Sequence, residues 1–264
     1  MTLNQLFAKV ALAQGKKLSG GITCNGLRIQ LRHAPGKMPE LLVTGDVTLT
    51  IKVFDLTTTG VPKLHSLIAA TQSNIANKLR GETMEYDRYL SNYDTKANKF
   101  NKNTQALYNV RYRINYIVKL EKISRLSQLS GNYFVLAVVD RIGLKTDNLN
   151  TSGLTDGKGG PATVVYNDWC KYPNISTHEF FHTLGLGHIK GTSSKKSLMG
   201  EVAGTHNNAV SLNELFIMNK YLMANLVDMS NGQYASPTLN TAENLRKFLN
   251  NPTNGFKYNK AKFR

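Results

Sequence analysis

The chain has few cysteines and no long apolar run. Its 264 residues contain two cysteines, Cys24 and Cys170, which excludes a disulfide framework and leaves either two free thiols or one bridge. The longest apolar run, residues 134–139, is far too short to span a bilayer. The N-terminal stretch lacks an early basic region, and Lys9 interrupts its apolar part. We therefore expect neither membrane insertion nor a conventional signal peptide.

Acidic residues are also scarce. Seventeen Asp and Glu face 33 Lys and Arg, which gives a formal net charge of +16 and favours contact with anionic surfaces. The positive charges are dispersed, with tight pairs at Lys16-Lys17 and Lys195-Lys196. No recognised nucleic-acid motif accompanies them. A generally basic, solvated surface is the better interpretation, and nucleic acid is not the expected partner.

Apolar residues make up 41% of the chain, as in globular proteins. Five segments have the apolar pattern of strands: residues 22–33, 40–55, 110–120, 133–140 and 161–167. The second reads as two strands around a Thr-Gly-Asp turn. The fourth is continuously apolar, as in a central strand, and Pro161 favours a sheet edge for the last. Residues 86–109 show no clear period, which predicts a long loop.

Three segments have helix signals. Pro62, the apolar spacing that follows it and Gly81 predict an amphipathic helix. The capping-box pattern from Ser211 to Glu214 opens a helix that continues to about residue 227, and residues 240–250 predict a short last helix. This order of elements predicts an α+β fold with helices packed on a twisted sheet.

The stretch 178-HEFFHTLGLGH-188 holds three of the six histidines. On a helix, His178 and His182 project from the same face one turn apart, and two such imidazoles can bind one Zn²⁺. Gly185 can take the left-handed conformation that ends a helix. The chain can then turn, and His188 can return as a third ligand.

Three protein ligands leave one position open, as in catalytic zinc sites. Glu179 lies beside the metal position, where it can take a proton from water and pass it to a leaving amine. The alternative is structural, because Ser176 to Glu179 also fits a capping box. The offsets of Gly185 and His188 favour the catalytic interpretation.

These residues carry a family resemblance. HEFFHTLGLGH is similar to the HExxHxxGxxH signature of the metzincin zinc peptidases. The segment 197-SLMG-200 resembles the methionine-containing turn of that family, with Met199 eleven residues after His188. The resemblance implies that His178, His182 and His188 bind one zinc ion, that Glu179 is the general base and acid, and that Met199 supports the histidines.

The same resemblance implies a metzincin-like zincin fold. Its twisted mixed sheet of about five strands would pack on the active-site helix, with a smaller helical C-terminal subdomain. In this family the substrate lies extended along an edge strand, for which the candidate residues are Ala162, Thr163, Val164, Val165 and Tyr166. The catalytic domain would span residues 46–228. The resemblance does not explain the rest, which we interpret as an N-terminal β extension (1–45, docking or pro-like) and a basic C-terminal extension (229–264).

The sequence departs from the family pattern in places. Several metzincin families have a tyrosine two residues after the turn methionine, where this chain has Glu201, and Ile189 after the third histidine matches no subfamily clearly. We therefore assign no subfamily. Cys24 lies upstream of the histidines and could occupy the fourth zinc position to keep the enzyme latent, although ITCNGLR does not resemble the known switch segment.

Two functions follow as hypotheses. The leading one is a zinc metalloendopeptidase acting on an extended peptide or protein. The alternative is a metzincin-fold structural component of a large assembly, such as a virus tail or injection apparatus, or an injected toxin peptidase. Neighbouring subunits would then be partners, and the protein would be particle-associated or released by a route without a signal peptide.

Overall fold

The computed structural model describes residues 22–24, 27–32, 35–94, 99–130, 133–143, 151–190, 196–200, 208–226 and 240–263. Within these ranges eight strands form: β1 (Ile22–Cys24), β2 (Leu27–Arg32), β3 (Glu40–Asp55), β4 (Glu82–Asp94), β5 (Lys99–Ile123), β6 (Phe134–Val139), β7 (Gly153–Thr155) and β8 (Ala162–Val165). The same ranges contain five α-helices: α1 (Leu64–Lys78), α2 (Tyr166–Lys171), α3 (Ile175–Thr183), α4 (Leu212–Leu226) and α5 (Ala242–Asn250).

The chain divides into two compact units. Unit 1 consists of Met1–Thr48, Arg80–Ile117 and Asn219–Tyr234. Unit 2 consists of Leu49–Leu79, Val118–Met218 and Ala235–Arg264. The division into parts 1–45, 46–228 and 229–264 stays a prediction.

Unit 1 is built from antiparallel strands. β2 pairs with both β1 and the start of β3, from Leu27 opposite Gly45 to Arg32 opposite Glu40. The prediction of two strands around a turn in residues 40–55 was wrong, because β3 runs without interruption through Thr44, Gly45 and Asp46. β2 pairs with residues 40–45 of β3, and this pairing keeps Thr44 and Gly45 extended.

The predicted loop at residues 86–109 was also wrong. β4 and β5 pair antiparallel through this region, with register shifts next to Glu85 and Ser91. Pairing between the two strands keeps this polar region extended, although its sequence shows no apolar period. Just outside it, ion pairs also connect the strands. The Arg111 guanidinium bonds to Glu82 and, at 2.9 Å, to Glu40, and Arg113 bonds to Glu82 at 2.7 Å.

Unit 2 holds a mixed sheet. β6 pairs in parallel with the second half of β3 and with β8, and β7 pairs antiparallel with β8 at the end of the strand order. All six residues of β6 are buried, which confirms its prediction as a central strand. A mixed sheet was expected, although the described residues form eight strands in all rather than about five.

The helix that carries the histidines packs on this sheet. The Phe180 ring of α3 meets the Phe134 ring of β6 edge-on, with 5.1 Å between their centroids. α3 also meets the predicted amphipathic helix α1, where Thr71 Oγ1 lies 2.7 Å from Ser176 Oγ. These contacts hold α3 in place through groups distant from its histidines in the sequence.

The C-terminal residues belong to the same compact unit. The short last helix is confirmed as α5, which begins where the Thr241 hydroxyl accepts a hydrogen bond from the Asn244 N–H at 3.1 Å. Leu245 and Leu249 of α5 share one hydrophobic core with Val135 and Val139 of β6. The smaller helical C-terminal subdomain stays a prediction.

None of the helices in the described ranges combines the length and the apolar content that crossing a bilayer requires.

The ion pairs of Glu82 give a stability prediction. Hydrogen bonds from Arg111 and Arg113 hold the pKa of the Glu82 carboxyl below its usual range. This stabilisation is complete above the unfolded-state pKa of about 4.3 and is lost as pH falls through the lower folded-state value. Glu82→Gln should lower the free energy of unfolding at pH 7 by on the order of 1 kcal/mol, and the difference should vanish in acid.

Chemical unfolding at several pH values measures this difference. Glu121→Gln is the matched control, since among the described residues Glu121 forms one ion pair, with Lys52, and its side chain is 46% exposed. The ion pairs of Glu82 have no role in stability if both variants show the same small decrease in the free energy of unfolding at pH 7. The same conclusion follows if the decrease in Glu82→Gln persists unchanged in acid.

Candidate metal centre and active site

Helix α3 and the turn after it bring the three histidines together. His178 and His182 lie one helical turn apart on α3. The helix ends in a Schellman motif, in which Gly185 has a φ of 89°. The N–H groups of Gly185 and Leu186 bond to the carbonyl oxygens of His182 and Phe181 at 2.9 and 3.2 Å. The chain reverses direction there and returns His188 to the helix face.

The three imidazoles converge on one point. Their Nε2 atoms form a triangle with sides of 3.0 Å (His178–His182), 3.1 Å (His182–His188) and 3.2 Å (His178–His188). Three nitrogens bound tetrahedrally to one Zn²⁺ at 2.0–2.1 Å would be about 3.3–3.4 Å apart. The triangle is therefore close to the size that a single ion requires, and the three histidines could hold a metal.

The outer nitrogens decide which ring nitrogens carry protons. His178 Nδ1 lies 2.7 Å from the Leu198 carbonyl oxygen, and His182 Nδ1 lies 2.7 Å from that of Leu186. A carbonyl oxygen only accepts, so each Nδ1 donates and each neutral ring points the lone pair of Nε2 inward. Inward lone pairs about 3 Å apart repel each other, and a cation between them removes the repulsion. The donor set thus fits a metal ion.

Two of the histidines are also held in the neutral form that metals need. Burial, together with the neighbouring His182 and His188, lowers the pKa of His178 to about 4 against the opposing hydrogen bond to Leu198. Burial also lowers the pKa of His182. At neutral pH both rings are therefore available as ligands without losing a proton first.

The segment 197-SLMG-200 forms a tight turn beside the histidines. The Gly200 N–H bonds to the Ser197 carbonyl oxygen at 3.1 Å, which closes the turn. Met199 is fully buried, and its carbonyl oxygen accepts from the Ile189 N–H, next to His188, at 2.8 Å. The Leu198 carbonyl contacts the His178 ring, and the Met199 carbonyl contacts the residue after His188. The backbone of the turn therefore supports the first and the third histidine.

One support of this turn is not visible in the sequence. Ser197 Oγ accepts from the Met199 N–H at 3.0 Å and donates to Glu214 Oε1 at 3.4 Å. The predicted capping box at the start of α4 is confirmed, since Glu214 Oε2 accepts from the N–H and hydroxyl of Ser211 at 2.7 and 2.8 Å. Glu214 thus both caps α4 and holds the turn.

Glu179 is buried beside the first histidine. The capping box predicted as the alternative, with Ser176 and Glu179, does not form. Helix α3 begins at Ile175, and the Ser176 Oγ contacts Thr71 and the Pro173 carbonyl oxygen. The Glu179 carboxylate accepts from the Thr155 hydroxyl of β7 at 2.7 Å. Burial raises the pKa of Glu179 to about 7, against the opposing effect of the Thr155 hydrogen bond. A carboxylate with this pKa is suited to accept and release protons near neutrality.

The predicted substrate strand is not at the sheet edge. Residues 162–165 form β8, which lies between β6 and β7, and Tyr166 already begins α2. Pro161 immediately precedes β8 instead of lying within it, and its carbonyl accepts from the Asp156 N–H at 2.9 Å. The edge strand is β7, whose three residues are too few to show a period.

Cys170 is a free thiol. A latency role for Cys24 stays a prediction, because the Cys24 side chain lies outside the part of the chain that the structure describes.

No protein-family model and no curated protein matches this sequence. Among solved structures, the chain is similar to the crystal structure of archaemetzincin from Methanopyrus kandleri, with a TM-score of 0.40 and 13% sequence identity. The match covers 66% of this chain and 96% of that one.

The turn support predicts an effect on metal binding. Ser197→Ala removes the hydroxyl that holds the Met199 N–H and Glu214, so the Leu198 carbonyl loses its position and zinc affinity should fall. Outer hydrogen bonds of this kind typically contribute about 10- to 100-fold in metal affinity. Competition with a chromophoric chelator measures the change.

Ser211→Ala is the matched control, because it removes a hydroxyl from the same Glu214 carboxylate without touching the turn. It should bind zinc almost as tightly as the wild type. Equal losses of zinc affinity in the two variants would mean that Ser197 affects only the general stability of the protein.

Proposed function

We propose that this protein is a zinc-dependent endopeptidase of the metzincin type. The observation that carries the proposal is the triangle of three inward-facing Nε2 atoms with a buried glutamate directly after the first histidine. Three protein ligands leave an open coordination position, as catalytic sites require. Zinc bound there supplies Lewis acidity, which polarises a carbonyl group and makes water more acidic.

Glu179 has the proton-transfer role in this proposal. Its carboxylate takes a proton from the attacking water and, once protonated, gives that proton to the departing amine. With a pKa raised to about 7 by burial, both its forms are accessible near neutral pH. His178 and His182 keep their protons at Nδ1, where backbone carbonyls hold them, and so act as ligands rather than as acids.

The edge strand β7 offers a place for an extended substrate. The Val165 N–H donates to the Ser152 carbonyl at 2.8 Å, and the Asp156 N–H donates to that of Pro161 at 2.9 Å. In antiparallel pairing the bonded residues alternate, so residues 152, 154 and 156 bond towards β8. The backbone groups of Gly153 and Thr155 therefore face the outer edge.

A peptide can add to this edge as a further strand. Thr151, two residues before Gly153 on the same edge, already forms an antiparallel bridge with Ile142. Strand addition uses the main chain of the substrate and requires an extended segment. We therefore propose unfolded or flexible stretches of protein as the substrate class. Neighbouring subunits of a large assembly stay a prediction from the sequence.

Replacing the general base tests the chemistry. Glu179→Gln keeps the size of the side chain but removes its basicity, so the rate of peptide cleavage should fall by about 10²–10⁴-fold. Zinc content should stay at one ion per chain, because Glu179 is not a ligand. Cleavage of a mixed peptide library and metal analysis on the same samples measure both quantities.

The endopeptidase proposal fails if the zinc-loaded wild type cuts none of the peptides, or if Glu179→Gln cuts as fast as the wild type.

Removing the metal gives a second test. Protein treated with a chelator and dialysed should lose cleavage activity, and one equivalent of Zn²⁺ should restore it. The His182→Gln variant lacks one of the three ligands, so one equivalent of Zn²⁺ should not restore its cleavage activity. Recovery of this variant at one equivalent of zinc would exclude His182 as a ligand.

A further inference from the structure

The same strand that offers an edge to the substrate also contacts the glutamate. Gly153 and Thr155 lie two residues apart on β7, so their side-chain positions share one face of the sheet. That face meets Glu179 on α3. Thr155 Oγ1 lies 2.7 Å from Glu179 Oε2 and 3.0 Å from the Glu179 carbonyl oxygen.

Position 153 requires glycine because a side chain would overlap Glu179, and not because of its backbone angles. It is not among the glycines with a positive φ. A Cβ built at this position would lie 2.5 Å from Glu179 Cγ and Oε1 and 2.7 Å from Cδ. Heavy atoms in contact normally lie at about 3.5–4.0 Å, so any side chain at position 153 would push the carboxylate away.

Thr155 supplies a hydrogen bond that a buried carboxylate needs. Only 6% of Glu179 is exposed, so water does little to satisfy its oxygens. Among the described residues, the hydrogen bond recorded to the carboxylate comes from Thr155. Hydrogen bonds to charged groups are shorter and stronger than neutral ones and restrict geometry accordingly.

We propose that β7 positions the general base: Gly153 leaves the space that the Glu179 carboxylate occupies, and the Thr155 hydroxyl sets its orientation. This inference rests on the proposed function and extends it. Because the backbone groups of Gly153 and Thr155 face the outer edge of β7, a peptide paired with this strand is bound by the residues that hold the base. Substrate and proton acceptor are thereby aligned by one element of three residues.

Three variants of β7 separate positioning from folding. Thr155→Val removes the hydroxyl at nearly constant shape and should lower kcat about 10- to 100-fold, the value of one hydrogen bond to a charged group, with little change in KM. Thr155→Ser keeps a hydroxyl and should recover most of the loss. Gly153→Ala should lower kcat at least as much as Thr155→Val, with zinc content unchanged in all three.

Thr163→Val is the matched control on the neighbouring strand. It removes a threonine hydroxyl that donates to the Leu154 carbonyl oxygen at 2.9 Å and has no recorded contact with Glu179. Its kcat should stay within about twofold of the wild type, far from the loss expected for a hydrogen bond to a charge. Equal losses in Thr155→Val and Thr163→Val, or no recovery in Thr155→Ser, would overturn the proposal.

A measurement without substrate tests the same contact. In chemical unfolding of the metal-free protein, Thr155→Val should lower the midpoint when Glu179 is present, because a buried carboxylate loses its donor. In a Glu179→Met background the same change should have a clearly smaller effect. Equal effects in both backgrounds would show that the two residues are not coupled.

This design separates the two ideas. If zinc-loaded wild type cuts no peptide, the proposed function fails, and the unfolding cycle still decides whether Thr155 holds Glu179. If the wild type cuts and the cycle shows no coupling, the peptidase proposal stands and the positioning role is wrong.

Discussion

The candidate active site depends on three imidazole nitrogens that point at one position. The Nε2 atoms of His178, His182 and His188 lie 3.0–3.2 Å apart, and at least two of them have no proton to share, because the outer nitrogen of each ring donates to a carbonyl. Such an arrangement is unfavourable without a positive charge at its centre. A metal ion would supply that charge, and the surrounding turns hold the rings around its position.

Backbone carbonyl groups orient two of the three histidine rings. The Leu186 carbonyl, which holds His182, comes from the Schellman turn that Gly185 allows, and the Leu198 carbonyl, which holds His178, comes from the turn containing Met199. Each turn is supported in its own way, the first by a positive φ and the second by Ser197 and Glu214. Turn-forming residues that never touch a metal therefore have a direct effect on ligand geometry.

The sequence predicted what is local. Two histidines four residues apart, a glycine three residues after the second and a capping box each act within about one helical turn, so their spacing carries the information. The edge strand was missed because pairing with β8 makes β7 extended, and three residues carry no period. The β4–β5 pairing was missed because contact with the partner strand, rather than an apolar period, keeps residues 86–94 and 99–109 extended. The Thr155–Glu179 contact joins positions 24 residues apart, which no local pattern shows.

X-ray absorption at the zinc edge tests the central claim most directly. For the zinc-loaded chain we expect three imidazole nitrogens at about 2.0–2.1 Å and one exchangeable oxygen ligand. A sulfur shell near 2.3 Å, or a shell without the scattering of imidazole rings, would contradict a site built from His178, His182 and His188 with one open position.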